Sequence, residues 1–515
     1  MVQLARAPET AAEVSYDLIV VGAGIHGVCL ALEAACRGLR PLLLEREDFG
    51  GAASASSLRI LHGGLRYLQS LDLPRFAESV RARRWFAVHF PELVQPLQCV
   101  LPLYGDGLRR PAVLRAALAL NAALSLGRNA GIPAEKRLQA GAVLGVAETR
   151  ARFPAARVEG LKGAAVWYDA VMPSSERILM EALRWACAHG AVALNYVEAQ
   201  ALVGEGAAVR GLDALDRESG RVHRYRAPCV VNCTGAAAGR AAVQLGARTA
   251  APVEPALAFN LLLDRPPPCA AALALTPPQP GARTYFLLPW HGRTLAGTYH
   301  APLAADGPPH AEPTPTLVAQ MLADLDRAAP ALGLRDAPVL RVDAGLMPAR
   351  WPGRGDPAVR PVVLDHAETG GPRGLFTVCG VKYTTAPLLA RAALRYVYRR
   401  SGRDLSVRTG TGRPEPRPAL ILTAQRLAER LPEPALRGEL RALAEHESVV
   451  HLDDLLLRRA TWNDAPARIP ELAPALYELL GWGAERRRRD EARLAERFGA
   501  AALPGGPSAP TPSPR

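Results

Sequence analysis

The stretch Tyr16-Asp-Leu-Ile-Val-Val21-Gly22-Ala-Gly24-Ile-His-Gly27 decides the fold of this chain. Its first six residues form a short apolar run that predicts a buried strand, and helical spacing follows from Ile25 to Arg37. Pro41-Leu-Leu-Leu-Glu45 then predicts the next strand. A strand, a glycine turn, a helix and a second strand make a βαβ unit, which predicts an α/β fold of the Rossmann type.

The glycines of this turn have the G-x-G-x-x-G spacing. Gly22 permits the tight turn, Gly24 leaves room for a pyrophosphate, and Gly27 lets helix and strand pack closely. The helix N-terminus then offers free N–H groups to the phosphates. Glu45, 18 residues after Gly27, can accept hydrogen bonds from a ribose diol. Together these features predict a dinucleotide site rather than an ordinary strand–loop–helix turn.

Composition narrows the class of protein. The 515 residues are 49% apolar and 22% charged, which predicts a globular protein of two or three folding units. No apolar run approaches the roughly 18 residues of a membrane span, so we expect no integral membrane segment. The net charge of +13 favours anionic partners such as phosphorylated metabolites or acidic lipids. We expect no nucleic-acid partner, because zinc knuckles and basic tracts interleaved with aromatic residues are absent from the sequence.

The eight cysteines predict neither a disulfide framework nor a metal site, because none forms a C-x-x-C pair. Five of them fall within the first predicted helix or at strand ends, where a cysteine usually serves as a small buried apolar residue. They are Cys29, Cys36, Cys229, Cys233 and Cys379. This usage suits a reducing cytoplasm.

A second segment bears on which dinucleotide binds. Val230-Val-Asn-Cys-Thr234-Gly235 predicts a strand that ends in Thr-Gly, far downstream of the glycine turn. It resembles the second FAD contact of glutathione-reductase-type flavoproteins. A strand followed by a plain glycine turn is the alternative interpretation. With the resemblance, FAD is favoured over NAD.

Ser56-Ser-Leu-Arg-Ile-Leu-His62-Gly-Gly-Leu-Arg66-Tyr67-Leu68 resembles the S-S-x-[K/R]-x-x-H-G-G-L-R-Y-L segment of FAD-dependent glycerol-3-phosphate dehydrogenases. Three further segments are similar to motifs of the same family, and the resemblance runs from about residue 16 to residue 498. They are Leu288-Pro-Trp290 with Gly297-Thr298, Gly380-Val-Lys382-Tyr-Thr384-Thr385, and Asp453-Asp-Leu-Leu-Leu-Arg458-Arg459.

The resemblance implies an activity and a set of site residues. It implies that FAD accepts a hydride from C2 of sn-glycerol 3-phosphate, that dihydroxyacetone phosphate forms, and that electrons pass to a quinone, or to oxygen in an oxidase branch. It implies that Arg66, Arg360 and Lys382 are catalytic residues that recognise the phosphate and hydroxyl groups of the substrate, with Tyr67 shaping the pocket. An alternative role for Lys382 is to polarise the flavin edge and stabilise the anionic reduced ring. His62 is a candidate catalytic residue, or alternatively a turn residue with its hydrogen bonds satisfied. The implied FAD contacts are Gly22, Ala23, Gly24, Gly27, Glu45, Arg46, Ser56, Ser57, Thr234, Gly235, Gly380, Lys382, Tyr383 and Thr384.

One departure from the family concerns the substrate. The chain has Gly345-Leu-Met347-Pro348 where the family has G-[V/L]-R-P, with an arginine expected to face the substrate. Arg350 and Arg354 follow closely and offer compensation. The alternative is an oxidoreductase of the same scaffold that acts on a different hydroxy or amine substrate.

The resemblance also implies an architecture. We expect an FAD-dependent region over 1–400, with a glutathione-reductase-like FAD-binding domain from about 16–100, 165–250 and 340–400. A mixed-sheet substrate-binding cap from about 100–165 and 250–340 would cover it. An all-α domain over 401–500 and a disordered tail over 501–515 complete the prediction.

The sequence leaves two kinds of association open, contact with a membrane surface and formation of a homodimer. A helix predicted over 111–126, flanked by arginines, suits the acidic inner face of the cytoplasmic membrane, although a buried cap helix is equally compatible with it. A homodimer is also left open. A non-catalytic flavin-binding protein is disfavoured, because Arg66, Arg360 and Lys382 are retained.

Overall fold

A computed structural model describes most of the chain. The described residues are 3–105, 107–248, 253–279, 281–303, 312–349, 353, 355–405, 410, 412–417, 419–462 and 468–498. The tail over 501–515, predicted to be disordered, lies outside these residues, as do Arg350 and Arg354.

The strands of the described part, in chain order, are β1 Leu18–Val21, β2 Pro41–Leu44, β3 Ile60–Leu61, β4 Gln95–Pro102, β5 Ala142–Leu144, β6 Ala164–Val171, β7 Val192–Leu194, β8 Val197–Glu205, β9 Ala208–Asp216, β10 Val222–Arg226, β11 Val230–Asn232, β12 Pro255–Leu263, β13 Ala272–Leu275, β14 Tyr285–Trp290, β15 Arg293–Pro302, β16 Val339–Pro348, β17 Val362–Asp365, β18 Leu375–Cys379, β19 Ile421–Leu422 and β20 Thr461–Trp462. The α-helices are α1 Pro8–Ala12, α2 Ile25–Ala35, α3 Leu73–His89, α4 Pro111–Leu124, α5 Val146–Arg152, α6 Ser175–Ala188, α7 Ala238–Gln244, α8 Pro315–Ala328, α9 Ala386–Arg400, α10 Ala424–Arg430, α11 Pro434–His446, α12 Leu452–Asp454, α13 Ile469–Leu480 and α14 Ala484–Phe498.

The glycine turn lies in a six-stranded sheet with the order β17-β18-β11-β1-β2-β7. Strands β18, β11, β1, β2 and β7 run parallel, and β17 joins the edge antiparallel to β18. Strand β1 is buried at all four positions, as expected for a central parallel strand. Helix α2 is buried almost all round, because it packs between β1 and helices α6 and α9. The α/β fold class with a Rossmann-type parallel sheet is therefore confirmed.

A nine-stranded mixed sheet forms the second layer of the molecule, in the order β16-β12-β15-β14-β13-β4-β6-β3 with β5 beside β6. Its strands are antiparallel except for the β13–β4 pair. The predicted domain boundaries differ from the sheets that the structure shows. We expected 340–400 and 165–250 to belong to the FAD domain, but β16 and β6 lie in the mixed sheet. Strand β16 pairs with β12 over nearly its whole length, and this pairing decides where it belongs.

The C-terminal region is mainly helical, around its own apolar core of leucines with Trp462 and Tyr477. It is not entirely helical, as had been expected, because Ile421–Leu422 pairs in parallel with Thr461–Trp462. Buried ion pairs attach this region to the FAD domain. Arg459 binds the carboxylate of Asp48, and Arg177 binds both oxygens of Glu447 at 2.9 and 3.1 Å.

Helix α4, expected over 111–126, ends at Leu124. It packs on the mixed sheet through Leu114 and Leu118, and much of its remaining surface faces outward. None of the helices in the described part has the length and apolarity that crossing a bilayer requires.

Candidate active site

A cavity of about 2680 Å³ extends from the carboxyl ends of the parallel strands to the mixed sheet. Sites for single small molecules usually occupy about 300–1000 Å³, so this cavity has room for an extended dinucleotide and a substrate together. Gly22, Glu45 and Thr234 line the dinucleotide end. His62 and Lys382 line the end next to the mixed sheet. Among the described residues, no group of histidine, cysteine, aspartate and glutamate side chains is placed to hold a metal ion.

Close backbone approach explains the glycines of the turn. Gly22 has a φ of +100°, and a Cβ on it would lie 2.9 Å from the carbonyl oxygen of Cys233. A Cβ on Gly27 would lie 1.9 Å from the carbonyl oxygen of Gly22. The carboxylate of Glu45 accepts the N–H groups of Ala23 at 2.8 Å and Glu47 at 3.1 Å. Burial raises the pKa of Glu45, and these two N–H groups act in the opposite direction.

The structure brings all but two of the predicted FAD contacts to one cavity. Those that line it are Gly22, Gly24, Glu45, Arg46, Ser56, Ser57, Thr234, Gly235, Gly380, Lys382, Tyr383 and Thr384. Ala23 and Gly27 lie behind the wall, fully buried, where they hold the turn against the strand. The hydroxyl of Ser54, which sequence reasoning missed, accepts the N–H of Ile25 at 2.9 Å and so joins the loop before Ser56 to the start of α2. The turn, the acidic residue and the size of the cavity fit FAD.

His26, in the glycine turn, explains why position 380, far along the chain, is a glycine. A Cβ on Gly380 would lie 1.9 Å from Nε2 of His26. Burial lowers the pKa of His26 to about 4, although the backbone of Lys382 partly opposes this. The neutral imidazole therefore packs directly under the loop that carries Lys382.

Three cations surround the ring of Tyr67. The Nζ of Lys382 lies 4.4 Å from the ring centroid, and the Cζ atoms of Arg75 and Arg66 lie at 4.6 and 5.2 Å. Burial, and then the charge of Arg66, lowers the pKa of Lys382 to about 8. In the described part of the chain, neither Arg66 nor Lys382 has a carboxylate within ion-pair distance. Unbalanced positive charge with open guanidinium and ammonium donors makes a site for an anion such as phosphate.

The other predicted substrate residues lie elsewhere or differ in chemistry. Arg360 is exposed and is absent from the cavity wall, although Val359 beside it lines the cavity and accepts a hydrogen bond from Arg75 at 2.9 Å. Met347 does line the cavity, from β16 opposite Ala256. The wall therefore has an apolar side chain where the family resemblance leads one to expect an arginine.

Arg283, in the loop before β14, and His300, on β15, add to the site. Arg283 and His300 both line the cavity, and the guanidinium donates to the carbonyl oxygen of His300 at 3.4 Å. Burial, followed by the charges of Arg283 and Arg66, lowers the pKa of His300 to about 3. This imidazole is neutral at physiological pH.

His62 meets a buried carboxylate at the same end of the cavity. Its Nδ1 lies 3.3 Å from Oδ2 of Asp169, and its side chain is 49% exposed. Asp169 also accepts hydrogen bonds from Arg83 at 2.6 Å, the N–H of Gly63 at 2.7 Å and the indole of Trp167 at 3.1 Å. Burial would raise the pKa of Asp169, but the His62 contact and the Arg83 charge bring it down to about 2.

Sequence reasoning missed Asp169, Arg83 and Arg283. A usable signal existed for Asp169, since it is a lone carboxylate in the apolar strand Ala164–Val171. An arginine within a helix, such as Arg83, or in a loop, such as Arg283, carries no comparable signal.

Comparison with known proteins places the chain in context. A family model described as FAD dependent oxidoreductase matches residues 17–395. A glycerol-3-phosphate dehydrogenase of Synechocystis sp. is 29% identical over 401 residues, which covers 75% of this chain and 70% of that protein. Glycerol-3-phosphate dehydrogenase 1 of Mycobacterium tuberculosis is 29% identical over 506 residues, covering 90% and 94%. The structure of a glycerol-3-phosphate dehydrogenase from Bacillus halodurans complexed with FAD is similar in fold, with a TM-score of 0.69, 20% identity and coverage of 95% and 96%.

Proposed function

Because the chain belongs to the family of FAD-dependent oxidoreductases, we propose that it oxidises sn-glycerol 3-phosphate to dihydroxyacetone phosphate. The observation that carries the proposal is the cluster formed by Arg66 and Lys382 beside Tyr67, at the end of the dinucleotide cavity. The cluster calls for an anionic group on the substrate, and the names of the two curated relatives agree with that chemistry.

Bound FAD supplies the hydride acceptor. The chain's own residues bind and orient the polyol. Arg66 and Lys382 hold the phosphate, and the burial of Tyr67 beneath them keeps the cations facing the cavity. The C2–H bond breaks with its electron pair leaving as hydride, the C2 hydroxyl loses its proton to Nε2 of His62, and a C=O bond forms. Arg360 is left out of this assignment, because it is exposed and does not line the cavity.

The test is an anaerobic visible spectrum of the purified protein before and after sn-glycerol 3-phosphate is added. We expect a flavin band near 450 nm, an order-of-magnitude expectation for bound flavin, that bleaches with substrate. A band that persists would remove glycerol 3-phosphate as the substrate and keep the flavoprotein.

A second candidate substrate class follows from Met347, which lines the cavity where the resemblance predicts an arginine. A less charged hydroxy compound or an amine would then replace the phosphorylated polyol. Glycerol and small amines, tested in the same anaerobic experiment, distinguish this reading, because only one class should bleach the flavin band at low concentration.

We further propose a quinone as the electron acceptor and the inner face of the cytoplasmic membrane as the place of work. Support comes from apolar side chains exposed on and around α4: Leu71 at 72%, Leu120 at 41%, Leu124 at 47% and Leu126 at 85%. A cluster of basic residues, Arg84, Arg128 and Lys136, lines a recess that adjoins the C-terminal end of this helix. Apolar side chains next to basic ones suit an interface over acidic lipid. A homodimer is also proposed, and analytical sedimentation of the purified protein tests it by measuring the molecular mass in solution.

The membrane proposal predicts that the protein sediments with vesicles rich in phosphatidylglycerol and not with vesicles of phosphatidylcholine alone. Replacing Leu124 and Leu126 by Asp should lower the bound fraction at least about tenfold, since the patch loses apolar contact and gains negative charge. Val222→Asp is the matched control, because Val222 is 62% exposed on β10, outside the α4 surface. Equal binding of the wild type to both kinds of vesicle would contradict the proposal.

A further inference from the structure

The buried carboxylate of Asp169 lies against the imidazole of His62, at the end of the cavity next to the mixed sheet. Asp169 lies on β6 of the mixed sheet, and His62 follows β3, which pairs with β6. The two residues are 107 positions apart in the chain and meet only because β3 and β6 are neighbours. Asp169 is 3% exposed, whereas His62 opens into the cavity.

The charge state of Asp169 decides that the His62 nitrogen facing it carries a proton. The carboxylate carries no proton at physiological pH, because the His62 contact and Arg83 hold its pKa at about 2 against the effect of burial. An ionised carboxylate only accepts hydrogen bonds. The Nδ1 of His62, 3.3 Å from Oδ2, must therefore carry the proton and donate it. In the neutral imidazole Nε2 is then the acceptor nitrogen, and in the described part of the chain it has no hydrogen-bond partner.

The remaining contacts of Asp169 hold it rigidly. Oδ1 accepts from Gly63 at 2.7 Å and from Arg83 at 2.6 Å, and Oδ2 accepts from Trp167 at 3.1 Å in addition to His62. Gly63 follows His62 directly in the chain, so one carboxylate accepts hydrogen bonds from both the backbone and the side chain of this turn. On the other side of the ring, His62 lies 5.4 Å from the ring of Phe286.

We propose that Asp169 is a positioning residue, which sets the His62 tautomer and aims Nε2 at the C2 hydroxyl of the substrate. The inference rests on the proposed function and deepens it, because it names the group that prepares the proton acceptor. Orientation of a catalytic histidine by a buried aspartate is a recurring physical solution, since it fixes both the tautomer and the ring position.

The experiment measures anaerobic flavin reduction by sn-glycerol 3-phosphate in the FAD-loaded wild type and in D169N, H62Q and H62Q/D169N. We expect D169N to slow reduction at least about 100-fold, as loss of general base catalysis does, with KM changed less than about threefold. The double variant should be no slower than H62Q, because Asp169 acts through His62. A D169N rate close to that of the wild type, or additive losses in the double variant, would overturn the inference.

The matched control is E447Q, which breaks a buried ion pair away from the cavity and leaves Asp169, Arg83 and His62 in place. E447Q should lower thermal stability as D169N does, yet keep a reduction rate within about threefold of the wild type. If D169N fails to retain FAD, D169N/R83Q removes both charges together and serves the same test. A rate loss in E447Q as large as that of D169N would assign the D169N effect to lost stability and overturn the inference.

A second readout does not depend on turnover. Diethyl pyrocarbonate acylates an unprotonated imidazole nitrogen, and peptide mass spectrometry follows the modification of His62 in the substrate-free holoenzyme. We expect ready modification in the wild type and E447Q, and at least tenfold slower modification in D169N, where the amide donates to Nδ1 and Nε2 keeps the proton. Equal modification in all three proteins would contradict the assigned tautomer. A wild type whose flavin is not reduced overturns the proposed function and the inference with it, whereas equal reduction of wild type and D169N overturns only the inference.

Discussion

At the scale of single residues, Lys382 shows how the site uses charge. It is one of three lysines in a chain with 62 basic residues, and it stands beside Arg66 and over the ring of Tyr67. Burial and the neighbouring guanidinium lower its pKa to about 8. The lysine therefore still carries its proton at neutral pH but loses it under mildly alkaline conditions. The affinity of the site for a phosphate should fall as this proton is lost.

This gives a pH prediction. The affinity for dihydroxyacetone phosphate, measured by perturbation of the flavin spectrum, should fall as the pH rises through about 8, because the ammonium is lost. K382M should weaken binding about 10- to 100-fold at pH 7. This loss corresponds to the free energy that a hydrogen bond to a charged group usually contributes. K382R is the control, since an arginine stays protonated and should flatten the profile between pH 7 and 9. A K382R profile that still falls near pH 8 would assign the titration to another group.

At the scale of secondary-structure elements, the turn between β1 and α2 depends on contacts shorter than a side chain permits. Gly27 lies in the first turn of α2 and faces the carbonyl oxygen of Gly22. This part of the fold was predictable from sequence, because strand, turn and helix are consecutive and the glycines report local backbone approach. The extents of α2 and α4 were predictable to within about two residues for the same reason, since helical spacing is a local property.

Gly27→Ala should separate α2 from β1, because the new Cβ would lie 1.9 Å from the Gly22 carbonyl oxygen. We expect the variant to be purified with less than about a tenth of the wild-type FAD, as read from the ratio of flavin to protein absorbance. Gly438→Ala in α11 is the control, because nothing lies within 4 Å of its added Cβ. A Gly27→Ala protein with full flavin content would show that the turn tolerates a wider spacing.

At the scale of the whole molecule, the C-terminal region is held to the FAD domain by buried ions. Glu447 is fully buried and binds Arg177 through both oxygens, with Arg417 at 3.6 Å. Burial would raise the pKa of Glu447, but these arginines lower it. The pair therefore contributes stability above the ordinary pKa of 4.5, and that stability is lost as the pH falls through the lower value of the folded state.

Glu447→Gln should lower the free energy of unfolding by about 3–5 kcal/mol, because it leaves Arg177 buried without its main counter-charge. Urea unfolding at pH 7 measures this, and limited proteolysis should cut first between the FAD domain and the C-terminal helices. Glu433→Gln, at an exposed pair with Arg430, should change stability by less than about 1 kcal/mol. If both variants unfold alike, the buried pair does not hold the two regions together.

The sequence alone determined the dinucleotide turn, its acidic residue and the mainly helical C-terminal region, because each is encoded by neighbouring residues. Only the tertiary structure decided that β16 and β6 belong to the mixed sheet, that Arg360 lies outside the cavity wall, and that Asp169 contacts His62. These outcomes depend on strand pairing between distant segments, which is selected by burial across the whole fold. A strand's own residues indicate that it will be buried, and the partner that buries it comes from elsewhere in the chain.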